Sequence, residues 1–250
     1  MKKHIPNLFT LMNLFSGMIA VIMAATDELL LAALFVFLGI FFDFFDGFFA
    51  RKFNVEGELG KQLDSLADVV TSGVVPGIIM FQLMLYAAKG HWFMELSCEV
   101  GNWHDYQDTY YYFLPFSGFF ITLAAAYRLA NFNIDARQTS SFIGLPTPAF
   151  SIFVVSLPLI LFYSENAFFI DLLQNFYVLL AITLLGCYIM NAEIPLFSLK
   201  FKHYKWKGNE TKYLFLIGTI AMLFGLQTIA IPLTILYYVF LSFIENVIKK

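Results

Sequence analysis

Apolar runs of bilayer length dominate this chain. They lie at about 8–25, 29–51, 62–88, 109–133, 145–163, 172–190, 212–228 and 231–247. A helix needs roughly 20 apolar residues to cross the hydrocarbon of a bilayer, so each run reads as a crossing. The composition agrees: 60% of residues are hydrophobic and 13% charged, where a soluble domain carries about 25% charged residues. The expected fold is therefore all-α, a polytopic transmembrane helix bundle with about eight transmembrane helices, forming a single integral-membrane domain over residues 1–250. The stretch from Tyr213 to Val247 is too long for one crossing, and Pro232 offers a place to turn. Seven crossings with one broken helix is the alternative count. The N-terminus has the basic start and apolar core of a signal peptide, but no small-x-small cleavage site follows, so it reads as a retained first helix.

Charge placement gives an orientation. With eight crossings and a cytoplasmic N-terminus, Lys2, Lys3, Arg51, Lys52, Lys61, Arg137, Lys200, Lys202, Lys205, Lys207, Lys212, Lys249 and Lys250 all fall inside. Only Lys89 falls outside, beside Glu95, Glu99, Asp105, Asp108, Glu165 and Asp171. Lysine and arginine bias sets topology, so both termini should face the cytoplasm of a multi-pass cell-membrane protein. The loop from Lys89 to Tyr112 reads as an aromatic interfacial cap. The basic cluster at 200–212 reads as a patch for anionic lipid headgroups rather than for nucleic acid. Cys98 and Cys187 fall in a polar loop and an apolar run, with no disulfide or zinc spacing between them.

Acids inside such runs need a reason, because a carboxylate in hydrocarbon costs several kcal/mol unless it meets a partner or a wet cavity. Asp43, Asp46, Gly47 and Ala50 are spaced i, i+3, i+4, i+7, one face of a helix whose other faces are filled by Phe. Gly60, Asp64 and Asp68 stack at i, i+4, i+8 on the next helix. Only a short polar turn, KFNVEGELG, separates the two stripes, so the helices should be antiparallel neighbours with their acids face to face. Four like charges this close need something positive among them. Two hard divalent ions, Mg²⁺ or Mn²⁺, held by carboxylate oxygens would meet that need and leave places for phosphate. Gly47 and Ala50 remove side-chain bulk where a nucleotide would lie, and Arg51 adds a fixed positive charge for a diphosphate. A cation channel or proton-coupled transporter also uses intramembrane acids, but it favours the bilayer midplane. Here the acids crowd the inner end, and Arg51 closes the first stripe.

The segment D-x2-D-G-x2-A-R-x8-G-x3-D-x3-D, running from Asp43 to Asp68, resembles the signature of the CDP-alcohol phosphatidyltransferases. IPNLFTLMNLFSG at 5–17, LDSLADVVTSGVVPG at 63–77, YRLANFN at 127–133 and GLPTPA at 144–149 resemble one branch, the CDP-diacylglycerol–serine O-phosphatidyltransferases. The likeness extends to about residue 190. It implies that Asp43, Asp46 and Asp64 bind two metals, with Asp68 sharing one and acting as general base. It implies that Gly47, Ala50 and Arg51 contact CDP-diacylglycerol, with Gly60 in the same motif and Asn7, Thr10 and Asn13 at the cytidine end. L-serine would attack the phosphorus bearing the lipid and expel CMP, and the family suggests a homodimer.

For the acceptor, Arg128 lies in a helix otherwise free of charge and could hold a substrate carboxylate, with Asn131, Asn133 and Thr147 completing a polar pocket. It could equally pair with an aspartate or a lipid phosphate, and the asparagines could serve as helix-end residues. Gly144, Pro146 and Pro148 restart the chain into the fifth run. Asn13 and Ser16 could be inter-helix hydrogen bonders. Glycerol 3-phosphate, inositol phosphate or choline remain alternative acceptors, although few cations are available near the acids for a phosphate-bearing one.

Overall fold

A computed structural model describes residues 4–93, 113–135, 142–199 and 205–248. The first two helices, α1 (Ile5–Ala25) and α2 (Leu29–Phe53), form a hairpin closed at Thr26–Glu28, where Asp27 takes a positive φ. Small residues are buried on both helices: Gly17, Ala20 and Ala24 on α1, and Ala32, Ala33, Val36 and Gly39 on α2, and the two helices pack along each other. Small residues let two membrane helices approach by backbone packing, since lipid offers no hydrophobic drive between them. The phenylalanines of α2 are divided among its faces: Phe35 and Phe37 pack on the core, and Phe42, Phe45 and Phe49 meet Phe9 of α1. Phe41, Phe44 and Phe48 are exposed, and Phe9 of α1 stacks 5.1 Å from Phe49.

Asn54 ends α2 in the left-handed conformation, with Arg51 and Lys52 in the last turn, where cations complement the helix dipole. After a short loop the chain re-enters as α3 (Glu58–Val69), a π turn (Val70–Val74) and α4 (Val75–Lys89). This stretch is the centre of the bundle, and α4 buries Ile79, Met80, Leu83 and Met84 completely or nearly so. A 3₁₀ turn (Leu114–Phe119) leads into α5 (Phe120–Ile134), followed by α6 (Thr147–Tyr163), α7 (Ala167–Leu173), α8 (Phe176–Asn191), α9 (Glu210–Leu226) and α10 (Ala230–Ile248).

Helices stand at all eight expected places, and the molecule is a polytopic membrane helix bundle. Among the described residues, four helical stretches are by themselves long and apolar enough to cross a membrane: Ile5–Ala25, Leu29–Phe53, Glu58–Lys89 and Glu210–Ile248. The pair α7 and α8 meets the requirement jointly, but with a bend of 75° between its parts. The run expected from residue 172 is thus broken, because Asn175 caps a new helix by accepting from the Tyr177 N–H.

The last stretch is a hairpin. Along a straight helix, Leu214 and Tyr237 would stand about 35 Å apart, yet the Tyr237 hydroxyl donates to the Leu214 carbonyl at 3.1 Å. The turn falls at Gln227–Ile229, with Gln227 at φ +49°, rather than at Pro232. Pro232 sits in the first turn of α10, where its missing N–H has no intrahelical partner to lose.

Among the described residues one short strand pair interrupts the helices: β1 (Phe142–Ile143) pairs antiparallel with β2 (Pro195–Leu196). The pairing ties the segment before α6 to the segment after α8. Most of the outer loop beyond residue 93, Arg137, the basic residues Lys200 and Lys202, and Cys98 lie outside the described residues.

Candidate active site

Asp43 from α2 and Asp64 and Asp68 from α3 each offer a carboxylate oxygen, and those oxygens lie within 4.8 Å of one another. What sets this geometry is α1, which packs along both α2 and α3. Two of its glycine-bearing contacts leave no room for a side chain. A Cβ on Gly17 would collide with the Thr71 hydroxyl, and one on Gly39 would sit 2.7 Å from Thr71 Cγ2. The π turn carrying Thr71 is therefore held hard against α1 and α2, one turn beyond Asp68. The Thr71 hydroxyl donates to the Asn13 carbonyl of α1 at 3.3 Å, and the Thr122 hydroxyl of α5 donates to the Gly73 carbonyl at 3.0 Å, which gives that main-chain carbonyl of the π turn a partner.

A polar stripe on α1 faces the acids. Thr10 donates to Asp46 Oδ2 at 2.7 Å, and the Asn13 amide donates to Asp68 Oδ1 at 3.1 Å. Both donors are buried, as are Asp46 and Asp68. Asp64 Oδ1 is also buried and has no hydrogen-bond partner. The donor set is wholly oxygen and acidic, and one of its buried oxygens lacks a partner, so it fits a hard divalent cation.

Towards the loop between α2 and α3 the acids open into a cavity of about 580 Å³. Asn7, Thr10, Asp46, Gly47, Ala50, Arg51, Gly60 and Asp64 all line it, while Asp43 and Asp68 are not among the lining residues. Gly47 faces the guanidinium of Arg51: a Cβ there would stand 3.3 Å from Nη1. Gly60 looks across at Asn7, whose Oδ1 would be 3.5 Å from an added Cβ. Asn13 is not among the lining residues. It lies deeper, as an inter-helix hydrogen bonder that positions Asp68, which differs from the cytidine-end expectation.

Residues that pattern reasoning passed over complete the cavity wall. Lys61 and Phe132 line it, and the Lys61 ammonium donates to the Asn133 carbonyl at 2.6 Å. The Asn133 amide in turn donates to Ser65 at 2.9 Å, tying the end of α5 to α3. Lys61 was visible as an inside charge, but nothing in the sequence announces a main-chain partner 72 residues away.

Arg128 is buried, and its hydrogen bonds among the described residues go to main-chain carbonyls. Its Nε donates to the Met190 carbonyl at 3.1 Å and its Nη2 to the Gly144 carbonyl at 3.2 Å. Gly144 takes φ +74°, and a Cβ there would strike the same Met190 carbonyl, so the turn before α6 requires glycine. With Asn131, Asp135, Asn191 and Glu193, Arg128 lines a second cavity of about 390 Å³ on the α8 side of α5. Thr147 is fully buried beyond that turn, and its hydroxyl has no hydrogen-bond partner.

Comparison with known proteins agrees with this geometry. Residues 3–189 match the family model described as CDP-alcohol phosphatidyltransferase. A protein of Bacillus subtilis named CDP-diacylglycerol–serine O-phosphatidyltransferase is 31% identical over 208 residues, covering 83% of this chain and 94% of that one. A Helicobacter pylori protein of the same name is 30% identical over 208 residues, covering 80% of this chain and 74% of its own. An archaetidylserine synthase of Methanothermobacter thermautotrophicus is 29% identical over 164 residues, covering 64% and 60% respectively. The match spans the acids, the cavity and Arg128, and it sets the transporter alternative aside. This chain belongs to the CDP-alcohol phosphatidyltransferases, the phospholipid-synthesising transferases of membranes.

Proposed function

We propose that this protein is a phosphatidylserine synthase, transferring the phosphatidyl group of CDP-diacylglycerol to the hydroxyl of L-serine and releasing CMP. The observation that carries the reading is the convergence of Asp43, Asp64 and Asp68 beside a cavity lined by Asp46, Gly47, Ala50 and Arg51. The names of the relatives supply the acceptor.

In this reading Asp43, Asp46, Asp64 and Asp68 hold two Mg²⁺ or Mn²⁺ ions. Bound there, such ions supply charge neutralisation and Lewis-acid polarisation of a diphosphate. The chain does the rest. Gly47 and Ala50 leave the cavity wall bare for the nucleotide. The Arg51 guanidinium, lying over Gly47, holds phosphate oxygens, and Asn7 and Gly60 border the cytidine. Asp68 takes the proton of the serine hydroxyl while its oxygen attacks the phosphorus bearing the lipid. The bond from that phosphorus to the oxygen of CMP breaks, and CMP departs with the electron pair. Asn13 fixes the Asp68 carboxylate and Thr10 fixes Asp46, so both acids are oriented before substrate arrives. Arg128 and Asn131 border the space assigned to the serine carboxylate.

The lysine and arginine bias supports eight crossings with both termini and the acid cluster on the cytoplasmic side, and the family supports a homodimer. The test is direct. Purified protein with Mn²⁺ or Mg²⁺ and CDP-diacylglycerol is offered serine, glycerol 3-phosphate, inositol phosphate or choline one at a time, and CMP is measured. Release with serine alone is expected. Release with another acceptor and not with serine would overturn the serine assignment while leaving the transferase chemistry intact.

A further inference from the structure

Three consecutive residues at the end of α5 go to three different places. Asn131 lines the cavity that holds Arg128, and Phe132 lines the cavity beside the acids. Between α5 and α3, the Asn133 carbonyl accepts from the Lys61 ammonium at 2.6 Å. The last turn of α5 is therefore a wall common to both cavities, and a lysine that itself lines the acid-side cavity is fastened to it.

The place of this lysine is not explained by its own helix. Lys61 is the fourth residue of α3, near the end where the helix dipole favours anions rather than cations. Asp64 follows one turn later, yet among the described residues Lys61 forms no ion pair with it or with any other acid. An ammonium carries three N–H donors, and among the described residues Asn133 engages one of them. The charge and the remaining donors are left for an anion. Arg51, at the end of α2, lines the same cavity, so the turn between α2 and α3 brings two cations to it.

We propose that Lys61 is a positioning residue that couples the two cavities. It holds a phosphate oxygen of the nucleotide donor while keeping the Asn133 carbonyl, so a filled donor cavity fixes the end of α5 where the acceptor binds. This rests on the reading that the cavity at Arg128 and Asn131 takes the acceptor. The physical basis is entropy. A lysine side chain has many rotamers to lose when it is held; the donor phosphate supplies that ordering, and the acceptor then meets a wall already fixed. The Asn133 amide donates to Ser65 Oγ at 2.9 Å, a second tie from the same residue to the helix that carries Asp64 and Asp68.

The test compares the full chain in detergent with Mn²⁺ as wild type, Lys61→Met and Lys61→Arg. Methionine keeps an unbranched stem and removes the charge, and arginine restores it. CDP and cytidine are the soluble probes for equilibrium titration. Lys61→Met should weaken CDP about tenfold to a hundredfold, the value of one charge-assisted hydrogen bond, and leave cytidine within about twofold. Lys61→Arg should recover most of that loss. In CMP release, the wild-type KM for serine should fall as CDP-diacylglycerol is raised to saturation, and in Lys61→Met it should not. Unchanged CDP affinity in Lys61→Met would overturn the phosphate contact. Weakened CDP with a serine KM that still falls as in wild type would overturn the coupling. Equal weakening of cytidine and CDP, with a lowered unfolding temperature, would overturn both by reducing Lys61 to a prop for α5. If another alcohol supports CMP release, the same comparison runs with that alcohol, so a failed serine assignment is told apart from a failed coupling.

Discussion

Replacing Asn13 with leucine isolates a single hydrogen bond at Asp68, the acid proposed as the base. Leucine nearly preserves the shape of asparagine, and the site tolerates little else, since the Asn13 Oδ1 lies against Gly39. What is lost is the amide that donates to Asp68 Oδ1 at 3.1 Å. Asn13 is fully buried and Asp68 is 7% exposed, so water has little access to replace the donor. A hydrogen bond to a charged acceptor contributes about 1.5–3 kcal/mol. At about 1.4 kcal/mol per tenfold, kcat should fall about tenfold to a hundredfold. Because Asn13 does not line the cavity, the KM for CDP-diacylglycerol should stay within about twofold, which is the split expected of a residue acting through Asp68. Thr10→Val makes the contrast, because Thr10 lines the cavity as well as bonding Asp46, so both kcat and the lipid KM should move. The assay is CMP release in mixed micelles at saturating Mn²⁺, with thermal unfolding as a check on folding. A folded Asn13→Leu variant with unchanged kcat would refute the idea that α1 orients the base.

Three further outcomes follow from the same geometry. Asp68→Asn should abolish transfer to serine while CDP-diacylglycerol binding, read by equilibrium titration, stays measurable; normal turnover would remove Asp68 from the role of base. Mn²⁺ should raise the unfolding temperature of the apoprotein, by an amount corresponding to about 2.7 kcal/mol at a hundredfold excess over Kd, and Asp64→Asn should lose most of that shift. Gly186→Ala should destabilise the bundle by about 1–3 kcal/mol, because its Cβ would strike the Phe150 ring. Adding Phe150→Leu should recover stability, and a double variant no better than the single one would show that the clash is not the cause.

The acid stripes were readable from spacing alone, because i, i+3, i+4 periodicity and a short turn constrain where side chains meet. Gly47, Ala50, Arg51 and Gly60 follow for the same reason. Other features depend on atoms that a residue pattern does not carry. Arg128 invites pairing with an acid, yet its observed partners are main-chain carbonyls of Gly144 and Met190, 16 and 62 positions away. The π turn leaves no periodic signal, since one extra residue per turn shifts the register only locally. Pro232 drew the expected turn towards itself, although proline is as much at home in the first turn of a helix as before it. The actual bend needed Gln227 in a left-handed conformation, which its residue type does not advertise.

Hydrogen-bond donors are shared unequally among the four acids, and the imbalance explains why the site is built on three helices. The side-chain donors of α1 reach Asp46 through Thr10 and Asp68 through Asn13. The remaining pair, Asp43 and Asp64, stands between them with a buried oxygen of Asp64 left over. Burying a carboxylate oxygen without a partner costs several kcal/mol, and an amide or hydroxyl on α2 or α3 could have removed that cost. The chain instead keeps acids at those positions and packs them together through Gly17, Gly39 and Thr71, which admit no added bulk. A fold that tightens its backbone to crowd four carboxylates, and leaves a buried Asp64 oxygen without a partner, suits a bound positive charge. The donors it does provide fall on the two acids with separate tasks in the proposed mechanism: Asp46 at the cavity wall and Asp68 at the acceptor. The cation and the α1 stripe are thus complementary halves of one electrostatic solution, and loss of either should leave the other half misaligned.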